Sequence, residues 1–366
     1  MKFKYIVVGA GIAGLVMAER IANELKSDVL VIEKRKHIGG NCYDYYDESG
    51  ILIHKYGPHI FHTNYKKAWD YLSKFTEWNY YQHRVLTYID GNYIPMPITT
   101  ETINNLYNLN LSNNEVEDFL KEQAINISEI KNSEDVVLSK AGRDIYEKFF
   151  ENYTKKQWDV YPNELDKSVI SRIPVRYNKD TRYFTDRYQG IPKYGYTKMC
   201  ENIIDNPKVH ILFNTDYKDI INDIEHEYLI YTGPVDYYFD YKHGNLMYRS
   251  VKFELETLDI ESYQETSVIN YPNDYDFTRV TEYKKLTGQK TNKTTIAREY
   301  PTWDGEPYYP VPQNDYLEQY YKYKKEADLI KNVFFIGRLA EYQYYNIDKV
   351  VLNAMDLFEN KIRRVK

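Results

Sequence analysis

The sequence predicts an α/β protein built on a discontinuous Rossmann-like domain, with an inserted helical domain and an antiparallel β-sheet domain. Three observations lead there. A glycine-rich turn follows an apolar run at the N-terminus, helical spacing dominates residues 100–160, and short β-branched and aromatic runs fill residues 245–300. At 366 residues the chain exceeds what one ordinary core encloses, so two or three units sharing an interior are expected.

Residues 5–8 read as a strand, 9–14 as a turn, 18–25 as a helix and 29–32 as a second strand, a β-turn-α-β unit. Further α/β pieces are expected at 209–213 and 228–232, and at 333–336 followed by Gly337 and a last helix over 349–362. In the helical stretch, Ser112 and Glu115 form an S-x-x-E capping box ahead of Val116, Phe119 and Leu120. Ile145 with Phe149 and Tyr146 with Phe150 stand four residues apart on a broad aromatic helix face, where core packing is the default for Tyr146 and Phe150. Runs such as 251–255 and 294–296 alternate with polar turn residues, as antiparallel strands do. The expected division is 1–75 with 192–238 and 325–366 for the nucleotide domain, and 100–165 for the helical domain. Residues 76–99, 166–191 and 239–324 then form the sheet and substrate region. The polar stretch 163–168 has few apolar anchors, so a mobile loop is expected near 165–178.

Net charge is −6 with scattered basic residues, which gives no footprint for nucleic acid or an anionic membrane. No apolar run reaches the length of a bilayer span, so stable membrane insertion is not expected and the cytoplasm is the expected location. Two separated cysteines, Cys42 and Cys200, support neither a disulfide framework nor a metal site. The 41 tyrosines make any single tyrosine weak evidence, so one is singled out only where neighbouring motif residues support it.

Gly9-Ala10-Gly11-Ile12-Ala13-Gly14 is G-x-G-x-x-G between a strand and a helix. Gly9 makes the tight turn, Gly11 lets backbone approach a pyrophosphate at the helix N-terminus, and Gly14 permits close helix-strand packing. Glu33 closes the second strand, where a carboxylate accepts from an adenosine ribose. The second glycine pair, Gly39-Gly40 before Asn41, and the late strand and turn Phe335-Ile336-Gly337-Arg338 resemble FAD-binding flavoproteins, so FAD is favoured over NAD.

Longer strings extend the likeness: Gly57-Pro58-His59-Ile60-Phe61-His62-Thr63-Asn64, Tyr153-Thr154-Lys155-Lys156-Gln157-Trp158, Arg172-Ile173-Pro174-Val175-Arg176, Tyr188-Gln189-Gly190-Ile191-Pro192 and Gly337-Arg338-Leu339-Ala340-Glu341-Tyr342. In order, from residue 1 to about 355, the chain resembles the bacterial UDP-galactopyranose mutases. That resemblance implies interconversion of UDP-galactopyranose and UDP-galactofuranose, or of an N-acetyl or 6-deoxy analogue, with no net redox change. It implies FAD active in the reduced form, and a covalent adduct between sugar C1 and flavin N5. A homodimer, and an external reductant such as NAD(P)H or a reductase, come with it.

By the same resemblance, Arg172 and Arg279 grip the diphosphate, with Arg249 beside them, and Tyr183, Tyr309 and Tyr344 add phenol hydroxyls. Phe149, Tyr153, Thr154, Trp158 and Asn270 hold the uridine side of the substrate, with His83 where relatives can carry Asn. The implied FAD contacts are Ala13, Glu33, Lys34, Asn41, His59, Ile60, Asp216, Tyr217, Arg338 and the run Tyr345, Asn346, Ile347, Asp348, Lys349 and Val350, besides Gly9, Gly11, Gly14, Gly40 and Gly337. His59 is placed against the flavin near the sugar and, with Arg172 and Arg279, completes the implied catalytic set. Asn346 stands where the family commonly has Asp. A flavin amine oxidase-like oxidoreductase and a non-catalytic nucleotide-sugar-binding flavoprotein remain the alternatives on fold alone.

Overall fold

The computed structural model describes residues 2–171 and 174–364; Arg172 and Ile173 lie outside the described residues. Strand Lys2–Val8 is apolar from Tyr5 onward and is buried there, which sets it at the centre of a five-stranded parallel sheet. The order across that sheet is Val209–Leu212, Val29–Ile32, Lys2–Val8, Glu225–Tyr231 and Val333–Phe335. The nucleotide unit is therefore discontinuous, as the sequence predicts. Helix Ile12–Glu24 packs on one face of the sheet against helices Tyr196–Ile203 and Ile347–Asn360, and its apolar side chains are almost fully buried. It begins at Ile12 and not at Ala18, because Gly14 is helical here and allows the close packing expected of it.

A seven-stranded sheet runs Tyr309–Pro310, Tyr248–Leu258, Thr294–Thr302, Arg279–Glu282, Val268–Asn270, Val85–Ile89 and Asn92–Met96. One join departs from the expected antiparallel pattern: Val268–Asn270 lies parallel to Val85–Ile89. That pairing joins segments about 180 residues apart, so no local turn signals it. Phe61–Thr63, Tyr188–Pro192 and Trp78–Asn79 form a separate three-stranded sheet.

Helices Thr100–Tyr107, Asn113–Gln123 and Ser133–Ile145 form the helical unit. Ser112 Oγ accepts from Glu115 N at 3.4 Å and Ser112 N donates to Glu115 Oε2 at 2.8 Å, the capping box read from the sequence. Asn132 and Asp135 form a second one. Helix Ser133–Ile145 breaks at Gly142 and passes into a π turn, Tyr146–Glu151, before helix Asn152–Trp158.

The stretch 165–178 carries anchors that the polar sequence conceals. Leu165 packs with Trp158 and Val311, and Ile170 joins the helical core. Ser133 donates from N to the Leu165 carbonyl and from Oγ to the Asp166 carbonyl, while Arg176 N donates to the Ile98 carbonyl. Residues 168–171 form a short helix.

Gly142 has φ 81° and ψ 179°, a region that side chains rarely enter, and a Cβ there would stand 2.3 Å from the Gln123 carbonyl oxygen. Gly142→Ala is expected to cost about 1–3 kcal/mol. Thermal denaturation should register it as a midpoint lower by roughly 2–4 °C or more.

Candidate active site

Two cavities meet inside the chain. The first, of about 610 Å³, follows the carboxyl ends of the parallel strands, where sheets of this kind take ligands. The free N–H groups of helix Ile12–Glu24 point into it, and no acidic side chain in the first turn opposes an anion there. Glu33 accepts from Ala10 N at 2.7 Å and from Arg35 N at 2.8 Å, which pins the glycine turn to the end of the second strand.

Of the expected cofactor residues, Gly9, Gly11, Ala13, Glu33 and Lys34 line this cavity from the first βαβ unit. Gly40, Asn41 and His59 follow on the next segments, and Asp216 and Tyr217 beyond the strand Val209–Leu212. The C-terminal part adds Gly337, Arg338, Tyr345, Ile347 and Val350. Gly14 is a packing residue: a Cβ there would lie 2.0 Å from the Gly9 carbonyl oxygen.

Four expected contacts are corrected. Ile60 and Asn346 face the second cavity. The Asp348 carboxylate is buried and accepts from Thr63 Oγ1 at 2.9 Å, so it fastens the last helix to strand Phe61–Thr63. Lys349 turns outward, its Nζ 3.1 Å from the Tyr65 hydroxyl.

The second cavity, of about 560 Å³, shares His59, Arg338 and Ile347 with the first. Into it come Phe149, Tyr153, Thr154 and Trp158 from the helical unit, Asn270 and Arg279 from the large sheet, and His83, Tyr183, Tyr309 and Tyr344. Arg279 stands opposite Glu299 on the neighbouring strand, its Nε 3.0 Å from Oε2. The approach is not aligned as a hydrogen bond, so the pair is electrostatic. Burial pulls the guanidinium pKa down, but Glu299 and the phenols of Tyr153 and Tyr309 raise it on balance. Burial also lifts the phenols, Tyr153 to about 12 and Tyr309 higher, so both remain hydroxyl donors. Tyr309 stacks on Tyr344, and the Arg338 guanidinium lies 4.7 Å from the Tyr344 ring centre.

Arg249 has a different task from the one expected. Its Nε donates to the Gln157 carbonyl at 3.0 Å and its Nη2 to the Lys156 carbonyl at 3.2 Å, beneath the Trp303 ring. It caps the helix that carries Thr154 and Trp158, and it faces neither cavity. Phe150 and Tyr146 belong to the core as expected, and Phe150 also borders the second cavity beside Phe149 on the π turn. Sequence reasoning missed Glu299, His62, Phe184 and Asp186, which also line it. It missed Arg35 at the first cavity, which donates to Asn41 Oδ1 and pairs with Glu306.

Among the described residues, no group of His, Cys, Asp and Glu is placed to hold a metal ion, and no helix is long and apolar enough to cross a membrane. Cys42 and Cys200 are both buried and free.

A family model described as UDP-galactopyranose mutase matches residues 148–344, and one described as an NAD(P)-binding Rossmann-like domain matches residues 7–75. A "Probable UDP-galactopyranose mutase" of Klebsiella pneumoniae is 36% identical over 357 residues, 96% of this chain and 92% of that protein. A dTDP-fucopyranose mutase of Escherichia coli is 34% identical over 375 residues, 99% of each. A solved structure of reduced UDP-galactopyranose mutase shares the fold with a TM-score of 0.78, over 98% of this chain and 94% of that one, at 16% identity.

Burial holds His54 at about 4, and His59 and His83 at about 3, with Arg338 and Arg279 pushing the last two the same way. All three are therefore neutral at ordinary pH. In the unfolded chain they protonate near pH 6.5, so this contribution to stability is whole above about 6.5 and is lost as pH falls toward about 3. Acid titration followed by NMR should leave these three imidazoles unprotonated at about pH 5. Thermal midpoints should decline over the same range, and His83→Asn should make that decline shallower.

Proposed function

The chain belongs to the UDP-galactopyranose mutase family, and from that membership we propose that it interconverts the pyranose and furanose forms of UDP-galactose with bound FAD in its reduced state. A close UDP-hexose, such as the N-acetyl or 6-deoxy analogue, is the alternative substrate. The observation that carries the reading is the meeting of a dinucleotide-shaped cavity and an arginine-and-phenol cavity at His59, Arg338 and Ile347.

The first cavity fits FAD. A helix N-terminus suits the pyrophosphate and Glu33 the ribose. The Gly11 and Gly40 backbones approach so closely that a Cβ on Gly40 would stand 2.8 Å from Gly11 Cα, as a backbone-lined cradle requires. Reduced FAD, when bound, supplies a nucleophilic N5 for the anomeric carbon.

The chain's own residues then have three tasks. Arg279, with Arg172 by family resemblance, takes charge from the diphosphate as the anomeric C–O bond breaks, and a half-buried guanidinium held beside Glu299 does this without reorganising. Tyr183, Tyr309 and Tyr344 offer phenol hydroxyls to the phosphate oxygens. Phe149, Phe150 and Trp158 give the base aromatic faces, with Thr154 and Asn270 as polar partners. His59 is neutral and shapes the junction; it is not a strong acid there. Apolar walls at Val85, Met96 and Val268 keep water from the opened sugar. NAD(P)H or a reductase in the cytoplasm would keep FAD reduced, and a homodimer is the proposed assembly.

Purified protein should release FAD on denaturation. It should turn over a UDP-hexose only after reduction with dithionite, and stop on reoxidation. Sugar-dependent bleaching of oxidised flavin with peroxide release would instead identify an oxidase. Chromatography of a small UDP-sugar panel would rank the substrates. Arg279→Ala and Arg172→Ala should each lower kcat/KM by about 10² to 10³ with FAD content unchanged, the scale of losing one preorganised donor. Unaltered rates would remove those residues from the mechanism.

A further inference from the structure

We propose that Asp186 is a positioning residue that fixes the tautomer of His62, so that Nε2 of His62 presents a hydrogen-bond acceptor to a hydroxyl of the bound sugar. The proposal rests on reading the second cavity as a UDP-hexose site. His62, Phe184 and Asp186 all line that cavity. His62 leaves the junction on strand Phe61–Thr63, three residues after His59, which faces both cavities. The next residue, Thr63, is tied to Asp348, the neighbour of Ile347, which also faces both. The part of a UDP-hexose that reaches this junction is its sugar.

The imidazole is held on two sides. Phe184 stacks on it, with ring centres 3.6 Å apart and planes within 10°. Nδ1 lies 2.9 Å from Asp186 Oδ2, while Nε2 makes no hydrogen bond among the described residues. A carboxylate only accepts, so in neutral His62 the proton sits on Nδ1 and Nε2 keeps its lone pair. Asp186 is itself fixed by its neighbours. Arg187 N donates to Asn64 Oδ1 at 2.9 Å, which settles the orientation of the Asn64 amide. Asn64 Nδ2 then donates to Asp186 Oδ1 at 2.8 Å. Gln189 Nε2 holds the turn by donating to the carbonyls of Phe184 and Asp186.

This chain of donors makes an otherwise mild substitution informative. In Asp186→Asn, the amide oxygen must face the Asn64 donor, so the new NH₂ faces His62 Nδ1. Nδ1 becomes the acceptor and the proton moves to Nε2. The group facing the sugar changes from acceptor to donor with almost no change of shape. A hydroxyl tolerates either partner, but a C–F bond can only accept. Fluorine at the contacted position is therefore penalised by the native tautomer and accommodated by the switched one.

The test uses FAD-loaded protein at about pH 8.5, above the ordinary histidine range, and a set of monofluorinated UDP-galactoses. Nitrogen-15 NMR of the imidazole should show the Nδ1–H form in the native protein and the Nε2–H form in Asp186→Asn. At one sugar position, fluorine should weaken binding to the native protein by about tenfold, and the difference should shrink to near unity in the variant. If Asp186→Asn does not load FAD, His62→Phe should abolish the same hydroxyl-over-fluorine preference while UDP still binds. An Nε2–H form in the native protein, or a fluorine pattern identical in native protein and variants that bind UDP-galactose, overturns the proposal. Failure of the native protein to bind any UDP-hexose, with the Nδ1–H form observed, overturns the reading of the cavity and the sugar contact with it.

Discussion

A guanidinium cannot be removed from water without a partner, and the second cavity is organised around that constraint. Arg279 is set on a strand whose neighbour places Glu299 directly across from it. The carboxylate is almost entirely buried, and burial raises its own pKa although Arg279 opposes that shift. Thr281 Oγ1 adds a hydrogen bond to the other oxygen at 3.3 Å. The pair is nearly neutral as a unit, which lets it persist in a region of low dielectric. Removing the arginine would leave the buried Glu299 carboxylate without its counter-charge, so the ion pair depends on strand register. Glu299 occupies the Nε side of the guanidinium.

The same economy appears where the cavities join. Arg338 donates to the Tyr345 carbonyl at 2.7 Å and stacks with Tyr344 and Tyr309, so its position is determined by the strap that follows the last parallel strand. His59 arrives from the opposite side, its N–H donating to His54 Nδ1 at 3.0 Å. His54 is fully buried and held neutral, which makes it a fixed acceptor. Two segments far apart in the sequence thus converge on one point through backbone carbonyls and uncharged imidazoles. Nothing at the junction needs to change protonation over the ordinary pH range for the geometry to hold.

What the sequence makes legible is whatever is encoded within a few residues. The turn from Gly9 to Gly14 and the capping box of Ser112 and Glu115 pair residues through local backbone geometry, and both are found as expected. The residues missed are partners across space. Glu299 follows Arg279 by twenty residues and meets it only through strand register, and Asp186 meets His62 across 124 residues. Arg249 looks like any phosphate-binding arginine until its donors are seen to be taken by helix carbonyls. Phe150 keeps the core place expected of it, and its position on a π turn at the cavity wall is what helical spacing alone does not reveal. Leu165 and Ile170 illustrate the converse: two apolar residues in a polar stretch each join a core cluster.

Asn346 raises a question of charge and not of fold. It is the N-cap of helix Ile347–Asn360, faces the second cavity and makes no side-chain cap bond, so the first backbone donors of that helix are not satisfied by it. The only acidic residue in the first turn is Asp348, and its carboxylate is taken up by Thr63 Oγ1 and Lys349 N. The junction is therefore governed by Arg338 and the positive end of a helix dipole, and a neutral amide at position 346 leaves both unopposed. A carboxylate at the same place would satisfy an N–H donor and cancel part of that field. With the amide in its place, the positive end of the helix favours negative charge where the two cavities meet.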